Sequence, residues 1–365
     1  MEKLRIERVY TIDKEQMKKV KAFLRKHGLD LELPVTSLFV AKVDSIIVGT
    51  GAIDAGIIKM LSVDEDYRGT NLIGRLLSTL MHEGFQMGQD HLFIYTKPES
   101  VETFVHLGFY LISKTDHVAL LENKEDGIRA HLQPLIVSAS KSIKGRHIED
   151  CQNEKIEKPK SIGAVVVNCN PFTYGHQHLI ETASSSVDLL YVFVLSEDRS
   201  TFPFEARYKL VQEGTSHLKN VIVHPSGPYM VSQATFPTYF LGENKDKIMT
   251  QTELDAKIFA ESVAQVLGIQ VRFLGKEPYN PVTEKYNEAL ENVLSEYDIQ
   301  VKIIERKSHQ SRAISASDVR AYIGSGQLEK AKALVPQSTW KYLISDEACP
   351  VIKKIQSHVH LHKRV

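Results

Sequence analysis

The stretch Ile162-Gly163-Ala164-Val165-Val166-Val167-Asn168-Cys169-Asn170-Pro171-Phe172-Thr173-Tyr174-Gly175-His176 decides how the second half of the chain folds. Ile162–Val167 is an unbroken run of small and β-branched apolar residues. Such a run has no polar face, so it belongs in a strand covered on both sides, the condition of a parallel sheet. Pro171 stops the strand, and Gly175 lets backbone approach a ligand closely. Thr173 and His176 enter the first turn of a helix, whose free N–H groups and positive dipole end favour a polyphosphate. In an open α/β sheet, ligands bind beyond the carboxyl ends of the strands, and this loop lies there. Read without that position, Thr173 is an ordinary helix cap and His176 a first-turn surface residue.

Downstream the pattern repeats. Helices are expected near 175–186, 204–214 and 252–267, and strands at 189–195, 221–224, 271–274 and 301–304. Strands alternating with helices predict a doubly wound, mostly parallel, Rossmann-like sheet. Upstream, residues 1–135 read as an α+β unit. It has a helix near 13–27, a hairpin of 38–43 and 46–53 around Asp44-Ser45, a strand Ile57–Val63 and a helix over 72–84. A strand at 91–95, a short helix at 99–106 and a returning strand over 110–121 follow. Residues 136–160 are polar without apolar periodicity and read as a linker. The expected organisation is therefore 1–135, a linker at 136–160, a second domain over 161–346 and a C-terminal tail over 347–365.

A second constellation lies near the end of the fold, His309-Gln310-Ser311-Arg312-Ala313-Ile314-Ser315-Ala316-Ser317-Asp318-Val319-Arg320. Two hydroxyls and an arginine flank another helix start. Arg320 offers a planar, permanently charged fork for phosphate, and Ser315 and Ser317 can cap or donate. A plain capping box followed by a surface arginine is the competing description. Two such helix starts in one α/β domain favour a shared anion site.

Composition removes other classes. Across 365 residues Lys plus Arg equals Asp plus Glu, at 45 each, which argues against a nucleic-acid footprint. Cys151, Cys169 and Cys349 form neither a zinc pattern nor a disulfide framework, which suits a reducing compartment. No apolar stretch is long enough to span a bilayer, so a cytoplasmic protein without a membrane partner is expected. Of the fifteen histidines, those in 358–362 read as a frayed end, with metal binding as the alternative.

T-x-G-H followed by I-S-x-S-x-x-R, in this order and separation, resembles the HxGH nucleotidyltransferase superfamily, with Thr173 in place of the first His. In that superfamily the motifs hold ATP and stabilise attack on its α-phosphate. The intervening Phe202-Pro203-Phe204-Glu205-Ala206-Arg207, Arg272-Phe273-Leu274-Gly275-Lys276-Glu277-Pro278 and Val282-Thr283-Glu284-Lys285-Tyr286-Asn287 resemble the citrate lyase ligase family. The resemblance implies Thr173, His176 and Arg320 as catalytic residues. It implies Asn170, Phe172, Gly175, Gly275, Lys276, Glu277, Ser315 and Ser317 as ATP contacts, with Mg2+ on the nucleotide. Ala316 stands where many relatives carry a second serine. Lys276 reads equally as a phosphate ligand or a surface lysine.

In the first half, Tyr67-Arg68-Gly69-Thr70-Asn71-Leu72-Ile73-Gly74 resembles the pyrophosphate loop of the GNAT acyltransferases, and Phe104-Val105-His106-Leu107-Gly108-Phe109 a later segment of that fold. Asn71 and Ile73 occupy positions of the motif's small residues, and Val105 that of a catalytic tyrosine. The resemblance thus implies a degenerate domain in which Arg68 and Gly69 hold a CoA-like group, or which docks the carrier bearing one. The implied reaction joins acetate, through acetyl-adenylate, to the thiol of the prosthetic group on the citrate lyase acyl carrier subunit. AMP and pyrophosphate are released. A small-cofactor adenylyltransferase acting on a phosphate monoester, and a non-catalytic carrier-docking module, remain as alternatives.

Overall fold

The computed structural model describes residues 4–145, 159–197, 200–230, 236–241, 246–276, 281–310 and 312–362, with backbone alone for 138–145, 281–286 and 358–362. The chain forms two compact units. The first comprises Met1–Gly127 and Phe236–Lys257, and the second Ile128–Thr235 and Ile258–Val365. The expected single cut at 135 differs from this division in two ways. The first unit ends at Gly127, and the chain returns to it from residue 236.

The first unit is built from β1 (Arg5–Val9), α1 (Lys14–Lys26), β2 (Ser37–Val43), β3 (Ile46–Asp54), β4 (Ile57–Val63), α2 (Leu72–Gln86), β5 (Phe93–Thr96), α3 (Val101–His106), β6 (Tyr110–Lys114) and β7 (Ala119–Glu122). Its sheet runs β1-β2-β3-β4-β5-β7-β6. Every pairing is antiparallel except β4 with β5. Asp44 and Ser45 both adopt positive φ, 48° and 85°, as the two-residue hairpin between β2 and β3 demands. On α2 the buried residues are Leu72, Leu76, Leu77, Leu80 and Gly84, one stripe at helical spacing. The strand expected over 110–121 is instead a hairpin of β6 and β7. Thr115 Oγ1 accepts the N–H groups of His117 and Val118, each at 3.2 Å, and turns the chain between them.

In the second unit α4 (Gly127–Gly145) begins with buried Leu132 and Leu135. A helix therefore runs past residue 136, where a linker was expected; residues 146–158 of that linker lie outside the described residues. Next come β8 (Ile162–Val167), α5 (Tyr174–Ser184), β9 (Leu189–Val194), α6 (Phe204–Thr215), β10 (Val221–Pro225) and, in the segment that returns to the first unit, α7 (Lys247–Ile258). The last of these continues as a π-helical stretch, Phe259–Ala264, and a final turn α8 (Gln265–Leu267). Gly268, with φ +69°, ends it in the left-handed conformation that needs no Cβ. Then follow β11 (Val271–Gly275), α9 (Pro281–Ser295), β12 (Gln300–Ile304), the short pair β13 (Ser308–His309) and β14 (Arg312–Ala313), and α10 (Ala316–Gly324). Three further helices close the chain: α11 (Leu328–Ala331), α12 (Gln337–Leu343) and α13 (Cys349–His362).

The main sheet is parallel throughout, in the order β10-β9-β8-β11-β12. Chain order therefore runs outward from β8 to one side and resumes from β11 on the other. That reversal opens a crevice at the carboxyl ends of β8 and β11. The region expected as a tail folds. Val351 and Ile355 of α13 are buried in one cluster with Val319, Ile323, Trp340 and Leu343. The histidine side chains of 358–362 lie outside the described residues. Among the described residues no helix is long and apolar enough to cross a membrane.

Candidate active site

A cavity of about 310 Å³ occupies the crevice. Its lining comes from the loop after β8, the start of α5, the ends of β11 and β12, and the start of α10. Asn170, Thr173, Gly175, His176, Gly275, Ser315, Ser317 and Arg320 all meet there, although 138 residues lie between His176 and Ser315 in sequence.

Thr173 is the N-cap of α5, and its hydroxyl receives the N–H of His176 at 3.4 Å. The bond is reciprocated in an unusual way. The Thr173 backbone N–H donates to His176 Nδ1 at 3.1 Å, and the Thr173 hydroxyl lies 2.9 Å from the same nitrogen. The imidazole thus fills the place that Glu or Gln takes in a capping box. An Nδ1 that accepts a backbone N–H carries no proton, so the neutral ring carries its proton on Nε2. Burial, and then the positive charge of Arg306, lower the His176 pKa to about 4. At neutral pH the ring is therefore an uncharged Nε2–H donor.

This has a consequence for stability. An unfolded chain protonates this histidine below about 6.5, while the native ring resists protonation until about 4. Between those values the unfolded state binds more protons, so acid favours unfolding. The contribution is fully present above pH 6.5 and is lost as pH falls toward 4. Thermal melts of wild type and His176→Gln across that window should show the wild type losing more stability. Parallel losses would contradict the neutral state.

Gly175 is required by a close approach. A Cβ at this position would sit 3.0 Å from the Ile314 carbonyl oxygen, a backbone atom that cannot swing away. The first motif therefore packs on the second with nothing between them. Gly175→Ala should force the two helix starts apart by a few tenths of an ångström. Such a misplacement is expected to lower kcat/KM for ATP about tenfold while far-UV circular dichroism is unchanged. Full activity would show that the contact is slack.

The second motif repeats the capping logic. Ser315 caps α10 and accepts the Ser317 N–H at 3.1 Å. Asp318 does not complete a capping box; it pairs with Arg312 at 3.1 Å. Arg320 ties the two motifs together. One guanidinium nitrogen donates to the Asn170 carbonyl, and the other to Ser317 Oγ at 3.0 Å.

Beneath the loop lies Arg207, fully buried. Its fork donates to the carbonyls of Asn168, Leu195, Glu197 and Phe202 and to Asn168 Oδ1. Asn170 Oδ1 in turn accepts the Phe202 N–H at 2.9 Å. The Phe202-to-Arg207 stretch therefore shapes the floor of the site without touching the cavity.

Two expected contacts fall elsewhere. Phe172 does not line the cavity. Its side chain is fully buried in the sheet–helix core, against Gly214 of α6, where a Cβ would come within 2.2 Å of the ring. Lys276 is exposed and pairs with Glu305 at 2.6 Å instead of facing the cavity. Glu277 lies outside the described residues, as do the side chains of 283–286. Arg68 and Gly69 line a separate cavity in the first unit. Cys169 is buried with φ +54°, and burial pushes its thiol pKa up, so it offers no thiolate.

Arg306 was not visible in the sequence. It lines the cavity at the end of β12, and desolvation lowers its pKa. Glu305-Arg306-Lys307 reads as a solvated turn. Its position after the last parallel strand is the signal that singles it out.

An α+β unit of GNAT type, followed by a Rossmann-like parallel sheet with two capped helix starts facing one crevice, defines a nucleotidyltransferase-type enzyme carrying an acyltransferase-fold domain. The family profile for the citrate lyase ligase C-terminal domain matches residues 162–343, and that for the acetyltransferase (GNAT) domain residues 9–130. A citrate (pro-3S)-lyase ligase of Klebsiella pneumoniae is 32% identical over 337 residues, covering 91% of this chain and 94% of that protein. Its counterpart in Haemophilus influenzae is 33% identical over 350 residues, covering 93% and 98%. Among solved structures, a bifunctional NMN adenylyltransferase/ADP ribose pyrophosphatase of Francisella tularensis, complexed with AMP and a manganese ion, aligns at TM-score 0.37 and 15% identity. It covers 56% of this chain and 55% of that one. The chain belongs to the citrate lyase ligase family.

Proposed function

We propose that the chain acetylates the thiol prosthetic group of citrate lyase at the expense of ATP. The observation that carries this reading is the convergence of His176, Arg306, Ser315, Ser317 and Arg320 on one cavity at two helix N-termini. Acetate is a poor acyl donor because its leaving group would be oxide. Attack of an acetate oxygen on the α-phosphorus forms acetyl-adenylate and breaks the bond to pyrophosphate. Negative charge grows on the leaving oxygen, where a neutral Nε2–H and two guanidinium groups stabilise it most. The thiolate of the prosthetic group then attacks the acetyl carbonyl, giving the thioester and releasing AMP. No protein nucleophile takes part.

Mg2+ would arrive with the nucleotide. Among the described residues Glu305 is the one carboxylate on the cavity wall, and no group of three His, Cys, Asp or Glu is placed to hold a metal. One carboxylate with the phosphates suits Mg2+, which keeps most of its waters and neutralises phosphate charge. The protein's own part is to orient the triphosphate and donate to it. The acceptor in this reading is the acyl carrier subunit of the lyase, and the carboxylate substrate is acetate.

ATP–pyrophosphate exchange tests the first step. Exchange that depends on acetate is the expected result. Exchange that depends on a phosphate monoester would point to a small-cofactor adenylyltransferase, and none with either would leave a docking module.

A further inference from the structure

Asn168, the residue after β8, is held by its amide oxygen. Oδ1 accepts the Arg207 guanidinium at 2.9 Å and the Ser200 hydroxyl at 3.1 Å. A guanidinium can only donate, so the atom it meets is the oxygen, and the NH2 group is turned away from it. Both anchors are buried, and Arg207 is fixed by four backbone carbonyls besides. The orientation of this amide is therefore set before any substrate binds.

Asn168 is half-buried and lines the cavity of the crevice. Among the described residues its Nδ2 donates to no protein group, and it is not one of the buried atoms left without a partner. Its N–H bonds remain for what enters the cavity. The neighbouring Asn170 is fixed in the same way, by the Phe202 N–H, but it belongs with the charged half of the site. Its carbonyl accepts Arg320 of α10, and Arg306 follows β12. The partners of Asn168 come from the opposite side. Ser200 lies between β9 and α6, and Arg207, on α6, also takes the Leu195 carbonyl after β9. In the order β10-β9-β8-β11-β12, a neutral donor thus stands toward β9 and a cation toward β12.

We propose that Asn168 Nδ2 holds the acetate carboxylate by the oxygen that does not attack phosphorus, and donates to that same oxygen when the thiolate adds. The inference rests on the acetyl-adenylate reading above. In an in-line displacement the nucleophile approaches the α-phosphorus opposite the leaving group. Acetate therefore sits away from the guanidinium groups that take the charge of pyrophosphate. A neutral amide suits that place. A cation would pair tightly with the carboxylate and hold back the electron pair that must attack, whereas an amide orients it at smaller cost. In the second step sulfur bonds to the carbonyl carbon, and the π pair of the carbonyl moves onto its oxygen. Return of that pair breaks the bond to the phosphate oxygen and expels AMP. Negative charge grows on an oxygen that already receives the Asn168 N–H, so the bond strengthens in the transition state.

Two variants of the full chain test it. Asn168→Ala removes the donor. Asn168→Asp replaces the NH2 group by oxygen but keeps an acceptor for Arg207 and Ser200. Each should lose at least about tenfold in kcat/KM for acetate in pyrophosphate exchange, with the KM for ATP within about twofold of wild type. Thioester formation from preformed acetyl-adenylate and thiol-form citrate lyase should slow at least about tenfold as well. Asn168→Leu, uncharged and of similar shape, stands in if the alanine variant melts early. A KM for ATP that rises as much as the acetate constant falls would make Asn168 a wall of the nucleotide site and overturn the assignment. So would a loss confined to the aspartate variant, which would be charge repulsion alone. Wild-type acetate kinetics in a folded alanine or leucine variant overturn this assignment and leave the adenylation reading standing. Absence of acetate-dependent exchange in the wild type overturns both.

Discussion

Replacing His176 by alanine is expected to lower acetate-dependent pyrophosphate exchange about 10²- to 10³-fold, with little change in the KM for ATP. The size follows from where the donor points. Its Nδ1 is engaged by the Thr173 N–H, so the ring that lines the cavity holds its proton on Nε2 before the nucleotide arrives. A donor already aimed needs no reorganisation as charge moves to pyrophosphate, and its gain belongs to the transition state. The alanine variant still has Thr173 to cap α5, so its far-UV spectrum should match the wild type. His176→Asn, which keeps a side-chain donor but shortens its reach, should recover only part of the loss. A variant with normal kcat and raised KM would instead assign His176 to ground-state binding.

Arg320→Lys should cost at least about 10²-fold in the same assay, although it keeps the charge. The guanidinium makes two bonds at once, to the Asn170 carbonyl of the first motif and to Ser317 of the second. A lysine ammonium is a point charge on a flexible stem and cannot span both while facing phosphate. The lysine variant should therefore lose positioning as well as donation, and Arg320→Ala should be little worse. A lysine variant within about threefold of wild type would reduce Arg320 to a source of charge.

Much of this fold was legible because its signals are local. Ile162–Val167 and the apolar run at 189–195 could only be buried parallel strands, and the α2 leucine stripe could only be a helix face. Elements that depend on distant partners were not. β1, Arg5–Val9, alternates charged residues at a sheet edge and carries no apolar run. α13 looked like a polar tail, because Val351 and Ile355 gain meaning only from the Val319 and Trp340 surface they cover. The return of Phe236–Lys257 to the first unit rests on contacts made across long sequence separations.

The site divides the same way. Thr173, Gly175, His176, Ser315 and Ser317 declare themselves through helix-start chemistry within a few residues. Phe172 sits in the same motif and so was expected to touch nucleotide, yet Gly214, on a different helix, makes the socket that buries it. Lys276 is drawn to Glu305 by a charge that sequence spacing does not place. Arg306 was missed for the converse reason, since only the sheet order brings the end of β12 to the end of β8 through β11.

In the proposed reaction acetate is activated as an adenylate for a protein-borne thiol. This activation is tested most directly by measuring AMP release with the purified full chain, ATP, Mg2+ and acetate, in the presence of citrate lyase in its thiol form. AMP should form in step with acetyl-thioester on the acyl carrier subunit, with no sustained AMP formation when acetate or the thiol-form lyase is omitted. AMP release at the same rate without the lyase, or thioester formed without AMP, would contradict it.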